Sequence, residues 1–193
     1  MFAELLAERL DGIVSLSAAQ IELLEAHYQL LKHWNRTLNL TRIENLAEAV
    51  ERHYCESIFL GAHLPAGSQT VADVGSGAGF PGFPVAVLRP DCPVTLIESH
   101  QRKAVFLKEA SRSMPNVRVV PRRAEDVAER FDHAISRAVS YVDLVRLLKK
   151  LAPAADLLTG AEEPPEGMGF IWQPQLPLPW GRNRHLRIGR ALE

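Results

Sequence analysis

Apolar positions recur at helical spacing through the first third of the chain. Phe2, Leu5, Leu6 and Leu10 share one face of a helix over residues 2–10. Ser17-Ala-Ala-Gln20 has the form of a capping box, in which each side chain satisfies the other residue's backbone N–H. It opens a second helix whose apolar face runs through Ile21, Leu24, Tyr28, Leu31 and Trp34. After a break at residues 35–41, a third helical stretch covers residues 46–60, and Leu64-Pro-Ala-Gly67 closes this part. From Thr70 the rhythm changes. Short apolar runs predict strands near 70–75, 94–98, 117–120 and 132–136, alternating with helices near 82–89, 101–113 and 141–151. Such alternation specifies a parallel sheet covered on both faces. Past Pro153 the pattern gives a fifth strand near 154–158, a loop over Glu162-Glu-Pro-Pro-Glu-Gly167, and an antiparallel hairpin from 169–172 and 185–188. Two parts follow: a helical cap over residues 1–65 and a Rossmann-like α/β unit over residues 66–193.

The chemistry-bearing segment is Val71-Ala-Asp-Val-Gly-Ser-Gly-Ala-Gly-Phe-Pro-Gly82. A strand with one Asp runs into Gly75, Gly77 and Gly79, and a helix pattern follows. Glycines are needed where the backbone takes positive φ or where a ligand lies on the main chain. The next strand, Val94-Thr-Leu-Ile-Glu98, ends in a carboxylate. Turn glycines followed by an acid about 20 residues on is how an α/β sheet grips an adenosine-containing cofactor. The dinucleotide fingerprint is G-x-G-x-x-G, whereas here the spacing is G-x-G-x-G and Phe80 stands where the third glycine belongs. That disfavours a pyrophosphate and a nicotinamide enzyme. D-x-G-x-G-x-G at the end of a first strand instead resembles motif I of the Rossmann-like methyltransferases, which implies a site that meets a sulfonium and an ammonium through Asp73 and backbone carbonyls, and a ribose diol through Glu98.

Composition narrows the setting. At 193 residues, 47% of them hydrophobic, the chain is one domain with a sizeable core. A net charge of −1 neither demands nor excludes nucleic acid. Local clusters say more: Arg182, Arg184, Arg187 and Arg190 near the end, Arg122-Arg123, and Arg102-Lys103 suit a phosphate-rich partner or form solvated faces. Cys55 and Cys92 are too few for a disulfide framework and read as inert thiols in a reducing compartment. No His/Cys/Asp/Glu cluster has metal-ligand spacing. No apolar run reaches membrane-spanning length, and the start is too acidic and polar for a signal peptide. The expectation is a soluble, cytoplasmic monomer.

Several segments, in order, resemble one family. They are Trp34-Asn-Arg-Thr-Leu-Asn-Leu-Thr41, Arg52-His53 with Glu56-Ser57, Asp73 to Pro84, Leu96-Ile-Glu-Ser99 with Arg102-Lys103 and Phe106-Leu107, Ala124-Glu125, Ile135-Ser-Arg-Ala138, and Arg184-His185-Leu186. Together they resemble the bacterial small-subunit ribosomal RNA guanine-N7 methyltransferases, the GidB/RsmG family. The resemblance implies a Rossmann-like class I methyltransferase with a mostly parallel seven-stranded sheet. It implies S-adenosylmethionine as cofactor and 16S ribosomal RNA, naked or in the small subunit, as partner. Residue by residue, it places Asp73, Gly75, Gly77, Phe80, Glu98, Ala124, Glu125 and Arg137 at the cofactor. It places Asn39, Arg137 and Arg184 at the reaction, and His53 and Arg184 against RNA. One departure is Thr159 in Leu157-Leu-Thr-Gly160, where the family usually carries lysine. The chain is also short beyond that point.

Guanine N7 has an in-plane lone pair and no proton, so its attack on a sulfonium methyl requires no general base. Catalysis is then mostly alignment. O6 beside N7 is a natural target for an arginine. A cation close to N7 would oppose the charge developing there, which places Arg137 nearer O6 or the cofactor carboxylate. Extrusion of the base from its stack precedes attack where the base is structured.

Several residues keep a second reading. Asp73 either caps the glycine turn or meets the cofactor. Glu98 either meets the ribose or is a surface acid. His53 either joins helix to loop or contacts RNA. Asn39 either orders its loop or faces substrate, and Arg184 either faces substrate or lies on a solvated strand. Trp34 and Phe106 read as core. At the level of the whole protein, two alternatives stay open: a methyltransferase for another RNA or a small molecule, and a non-catalytic cofactor- or RNA-binding relative.

Overall fold

The computed structural model describes residues 1–137, 141–161 and 169–192. The loop expected over residues 162–167 and the residue Ala138 lie outside the described residues. The cap comprises α1 (Phe2–Leu10), α2 (Ala18–Leu38), α3 (Leu46–Ala49) and α4 (Glu56–His63), with a π-helical turn over Val50–Cys55 joining the last two. The capping box forms as the sequence requires. Ser17 Oγ accepts from Gln20 N–H at 3.3 Å, and Gln20 Oε1 accepts from Ser17 N–H at 2.8 Å. Gln20 also ties the cap to the α/β unit, donating Nε2–H to the carbonyl of Val87 at 3.0 Å.

The α/β unit alternates β1 (Val71–Val74), α5 (Gly82–Leu88), β2 (Val94–Ile97), α6 (Gln101–Ala110), β3 (Val117–Val120), β4 (His133–Arg137), α7 (Tyr141–Leu151) and β5 (Ala154–Thr159). The expected strand positions all hold strands. Where a helix would join β3 to β4, there is only a short 3₁₀ turn at Ala124–Asp126. The chain then forms β6 (Phe170–Trp172), β7 (Leu176–Pro177) and β8 (His185–Ala191). The sheet order is β3-β2-β1-β4-β5-β8-β6, with β7 paired to β8 off that path. Strands β1 to β5 are parallel, and β8 runs antiparallel to β5, β6 and β7. Among the described residues the sheet therefore has eight strands, one more than the seven expected. The addition is the two-residue β7, too short to leave a periodic signal in the sequence.

Two apolar clusters cover the two faces. One joins the cap to the sheet, from Phe2, Leu6 and Tyr54 through Phe83 and Phe106 to Leu96 and Ile135. The other packs Leu144, Val145, Leu148 and Leu151 of α7 with Phe131 onto Ala72, Ala134 and Ala155. Burial along their whole length explains why β1, β2 and β5 are mostly apolar on both faces and do not alternate with exposed polar residues. Phe106 is core, as expected, while Trp34 is half-buried and donates Nε1–H to Glu109 Oε2 at 3.1 Å.

Candidate active site

The chain leaves β1 toward β2 on one side, and β4 takes up the other side. Ligands of open α/β sheets bind at such a reversal, outside the carboxyl ends of the strands. Asp73, Glu98 and Arg137 all stand there: Asp73 pairs with Leu96 and Ile135 in register, Glu98 follows β2, and Arg137 ends β4.

Asp73 is fully buried and its Oδ2 accepts the Gly82 N–H at 2.9 Å. The capping reading of Asp73 is thus realised at the start of α5. Its other oxygen, Oδ1, is buried with no partner. Burial outweighs that hydrogen bond and the nearby Arg137, and pushes the carboxyl up to about 7. The loop beyond β1 turns at Gly75, with φ 74° and an exposed backbone, a conformation that strains any residue with a Cβ. Gly75 and Ser76 both donate to the carbonyl of Ile97, at 3.0 and 3.1 Å, which lays the loop across the end of β2. Glu98 is buried at 7% exposure. Its Oε2 accepts Gly77 N–H at 2.8 Å and its Oε1 accepts His100 N–H at 2.7 Å. It is therefore a loop-ordering carboxylate and not a free surface acid.

Phe80 is the point where cap and loop meet. Its ring is 3% exposed and stacks on His53, with centroids 4.5 Å apart at 13°. Tyr54 and His27 meet it edge-on at 5.1 and 5.3 Å, and the Arg137 guanidinium lies 5.3 Å from its centroid. The ring is spent on these neighbours, so Phe80 anchors the loop rather than lying open against a cofactor. Arg137 is half-buried and donates Nη1–H to the carbonyl of Arg52 at 2.5 Å. Desolvation lowers it to about 10, with Arg184 and Arg52 adding to the effect against Glu56 and Asp73, so it stays cationic at neutral pH.

His53 is 5% exposed, and its Nε2 lies 2.8 Å from Thr41 Oγ1. Desolvation first, then Arg137 and His27, pull it down to about 2, so it is a neutral imidazole. Asn39 ends α2 in the left-handed region, φ 41°, and is exposed. The residue that orders the following loop is Asn35, which the sequence reading passed over. It donates to the Thr41 carbonyl at 3.0 Å and accepts the Thr41 N–H at 2.9 Å. Arg184 departs furthest from expectation. Its Nε and Nη2 bond the two oxygens of Glu56 at 3.0 and 2.5 Å, and Glu56 is fully buried. Two of its three nitrogens serve this pair, so it is neither a solvated strand residue nor an uncommitted substrate contact. Ala124 is buried in the 3₁₀ turn. Glu125 is exposed, and its carbonyl accepts from Lys150 Nζ at 2.6 Å. Thr159 is buried at the end of β5.

The reading also passed over His27. It lies on the apolar face of α2, between Leu24 and Tyr28, where a histidine carries no distinguishing signal. Its Nε2 lies 3.0 Å from the Ala78 carbonyl, inside the glycine loop, and its Nδ1 lies 2.8 Å from the Tyr54 hydroxyl.

A comparison with known families matches residues 20–157 to rRNA small subunit methyltransferase G, GidB. The chain belongs to this family. The match covers the cap from α2 onward and the sheet as far as β5, and leaves the β6–β8 ribbon with Arg184 outside. The methyltransferase G of Chromobacterium violaceum is 40% identical over 143 residues, 72% of this chain and 68% of that one. That of Xanthomonas axonopodis pv. citri is 41% identical over 129 residues, 65% and 60% of the two chains. The Halorhodospira halophila protein is 37% identical over 159 residues, 79% and 75%. The aligned parts thus span about two thirds of these relatives' lengths. Among solved structures, a SAM-dependent methyltransferase from Aquifex aeolicus has a TM-score of 0.62 at 14% identity, covering 80% of this chain and 97% of that one. M. jannaschii TYW2 in complex with AdoMet has a TM-score of 0.52 at 17% identity, covering 72% and 74%. The fold is that of the class I methyltransferases.

Proposed function

We propose that this protein transfers the methyl group of S-adenosylmethionine to N7 of a guanine in 16S ribosomal RNA. The observation that carries the reading is the convergence of the Gly75 turn, Glu98, Asp73 and Arg137 at the reversal between β1 and β4, roofed by His53 and Phe80. The orphaned Asp73 Oδ1 fits a cationic cofactor, since a buried carboxylate oxygen without a donor is stabilised by positive charge. The open backbone at Gly75 fits a ligand lying on the main chain. When bound, S-adenosylmethionine supplies an electrophilic methyl on a sulfonium. The chain's own part is placement. Glu98, fixed by two backbone N–H groups, accepts from the ribose hydroxyls. Ala124 and Glu125 border the adenine. Arg137, charged and anchored on the Arg52 carbonyl, orients the guanine at O6 or holds the cofactor carboxylate, leaving N7 free. Neutral His53 and exposed Asn39 face the RNA. Arg184 acts through Glu56, whose charge offsets that of Arg137.

The test is incubation with methyl-labelled S-adenosylmethionine and small subunits lacking the modification, followed by nucleoside analysis. Label in 7-methylguanosine, lost in Arg137→Ala, is the expected result. Cofactor binding with no labelled RNA would reject the substrate assignment and point to another RNA or a small molecule.

A further inference from the structure

The seam between β1 and β4 opens earlier than the seams on either side of it. On one side β1 pairs with β2 as far as Val74↔Ile97, and on the other β4 pairs with β5 as far as Arg137↔Leu158. Between them the β1–β4 register ends at Asp73↔Ile135. The residues just past that point, Val74 and Ser136, are 4% and 1% exposed. The carbonyl of Val74, where the ladder has ended, accepts the Ser136 hydroxyl at 2.8 Å. Arg137 follows Ser136 on the opposite face of the strand.

That bond fixes one peptide plane. The Val74–Gly75 peptide is held on one edge by Ser136, through its carbonyl, and on the other by the Gly75 N–H, which donates to the Ile97 carbonyl at 3.0 Å. The next peptide is set by the same neighbour, because the Ser76 N–H donates to that carbonyl at 3.1 Å. The N–H and C=O of a trans peptide point in opposite directions, so the Gly75 carbonyl points away from β2. Among the described residues nothing donates to it, and Gly75 is exposed. The other anchors act elsewhere on the loop: Glu98 on the Gly77 N–H, His27 on the Ala78 carbonyl, and the Ser76 carbonyl on the N–H groups of Gly79 and Phe80. Beyond the strand ladder, the Ser136 bond is the one tie from β4 to the end of β1 and its loop among the described residues.

We propose that Ser136 is a positioning residue: its hydroxyl fixes the Val74–Gly75 peptide and thereby aims the free Gly75 carbonyl, across the opened seam, at the cationic amino group of the cofactor. The inference rests on the cofactor reading above and not on the RNA. A carbonyl accepts from an ammonium in a charge-assisted bond, whose strength depends on direction as well as distance. Without the hydroxyl the Val74 carbonyl is buried with no donor from the Ser136 side chain, and the peptide is held by the Ile97 bond alone. The plane then tilts toward another donor, and the Gly75 carbonyl turns with it. The adenosine end is held by groups that Ser136 does not touch, Glu98 above all.

The test titrates the protein calorimetrically with S-adenosylhomocysteine and with methylthioadenosine. The two share the adenosine and the sulfur, and only the first carries the amino-acid end. Ser136→Ala weakens S-adenosylhomocysteine about tenfold, the strength of one charge-assisted hydrogen bond, and leaves methylthioadenosine as in the wild type. Ser136→Thr keeps a hydroxyl and restores the affinity. Equal losses for both ligands in Ser136→Ala, or no loss for either, overturn the positioning role, as does a threonine variant as weak as the alanine one. A merely structural serine lowers the urea midpoint without separating the two ligands. A wild-type protein that binds neither ligand sinks the cofactor reading, and this role with it. A wild-type protein that binds both and labels no RNA rejects the substrate alone, and Ser136 is still judged by the titration.

Discussion

His27 of the cap reaches the carbonyl of Ala78 in the glycine loop at 3.0 Å, and so a helix outside the sheet fixes the loop that ends β1. The bond assigns the tautomer. A carbonyl only accepts, so Nε2 carries the proton and Nδ1 accepts the Tyr54 hydroxyl at 2.8 Å. Burial drives His27 down to about 3, which keeps it neutral.

His27→Leu leaves the Ala78 carbonyl and the Tyr54 hydroxyl buried without partners. The loss in stability is about 2–4 kcal/mol, one to two kcal/mol for each group. Urea unfolding measures it. Adding Tyr54→Phe removes one orphan and recovers part of the loss. A double variant no more stable than His27→Leu would show that the hydroxyl is satisfied otherwise.

Gly82 is constrained by space and not by φ. A Cβ there would lie 2.4 Å from Leu96 Cδ2 and 2.6 Å from Asp73 Oδ2. Gly82→Ala therefore pushes Asp73 off its cap, at a cost of about 1–3 kcal/mol from overpacking, and weakens S-adenosylmethionine binding. At Gly160 a Cβ meets nothing within 4 Å. Gly160→Ala is the control, expected within about 0.5 kcal/mol of wild type. Calorimetric titration of both variants with the cofactor separates the two glycines.

The Glu56–Arg184 pair predicts an asymmetry. Arg184→Ala strands a fully buried carboxylate and costs about 3–5 kcal/mol, while the double change Glu56→Gln/Arg184→Met returns much of it. A substrate arginine without this structural role would lose methylation with no change in the urea midpoint. Denaturation and KM measured on the same preparations distinguish the two.

The sign of the acid response follows from three buried groups. His27 and His53 sit at about 3 and about 2 when folded, against 6.5 when unfolded. From pH 6.5 down to about 4 the unfolded chain takes up two protons that the folded one refuses. Asp73, at about 7 folded against 3.8 unfolded, works the other way: over the same window the folded state holds one extra proton. Two less one leaves one proton more on the unfolded chain. Stability therefore rises with pH across this window by about 1.4 kcal/mol per unit. Asp73→Asn removes the opposing proton and about doubles the slope. Urea midpoints between pH 4.5 and 6 measure it, and an unchanged slope would place Asp73 near its ordinary value.

The Asp73-to-Gly82 segment and Glu98 were legible because the backbone itself makes the demands: positive φ at the turn, and a strand end followed by an acid. The central strands were legible because burial on both faces leaves short, mostly apolar runs. Asn35 and His27 were not, since an asparagine or histidine within a helix pattern gives no sign of which distant carbonyl it will reach. The partner of Arg184 was hidden for the same reason. Glu56 is 128 positions away, and the packing of α4 against β5, to which β8 is paired, brings the two together.

The sequence alone determined the helical cap, the parallel sheet, the glycine turn and the family, because periodicity and turn chemistry are local properties of the chain. The tertiary structure decided which polar groups pair. That choice depends on desolvation: Glu56, His27, His53 and Asp73 are each forced by burial either to find a partner or to stay neutral, and burial exists only once cap and sheet close on one another.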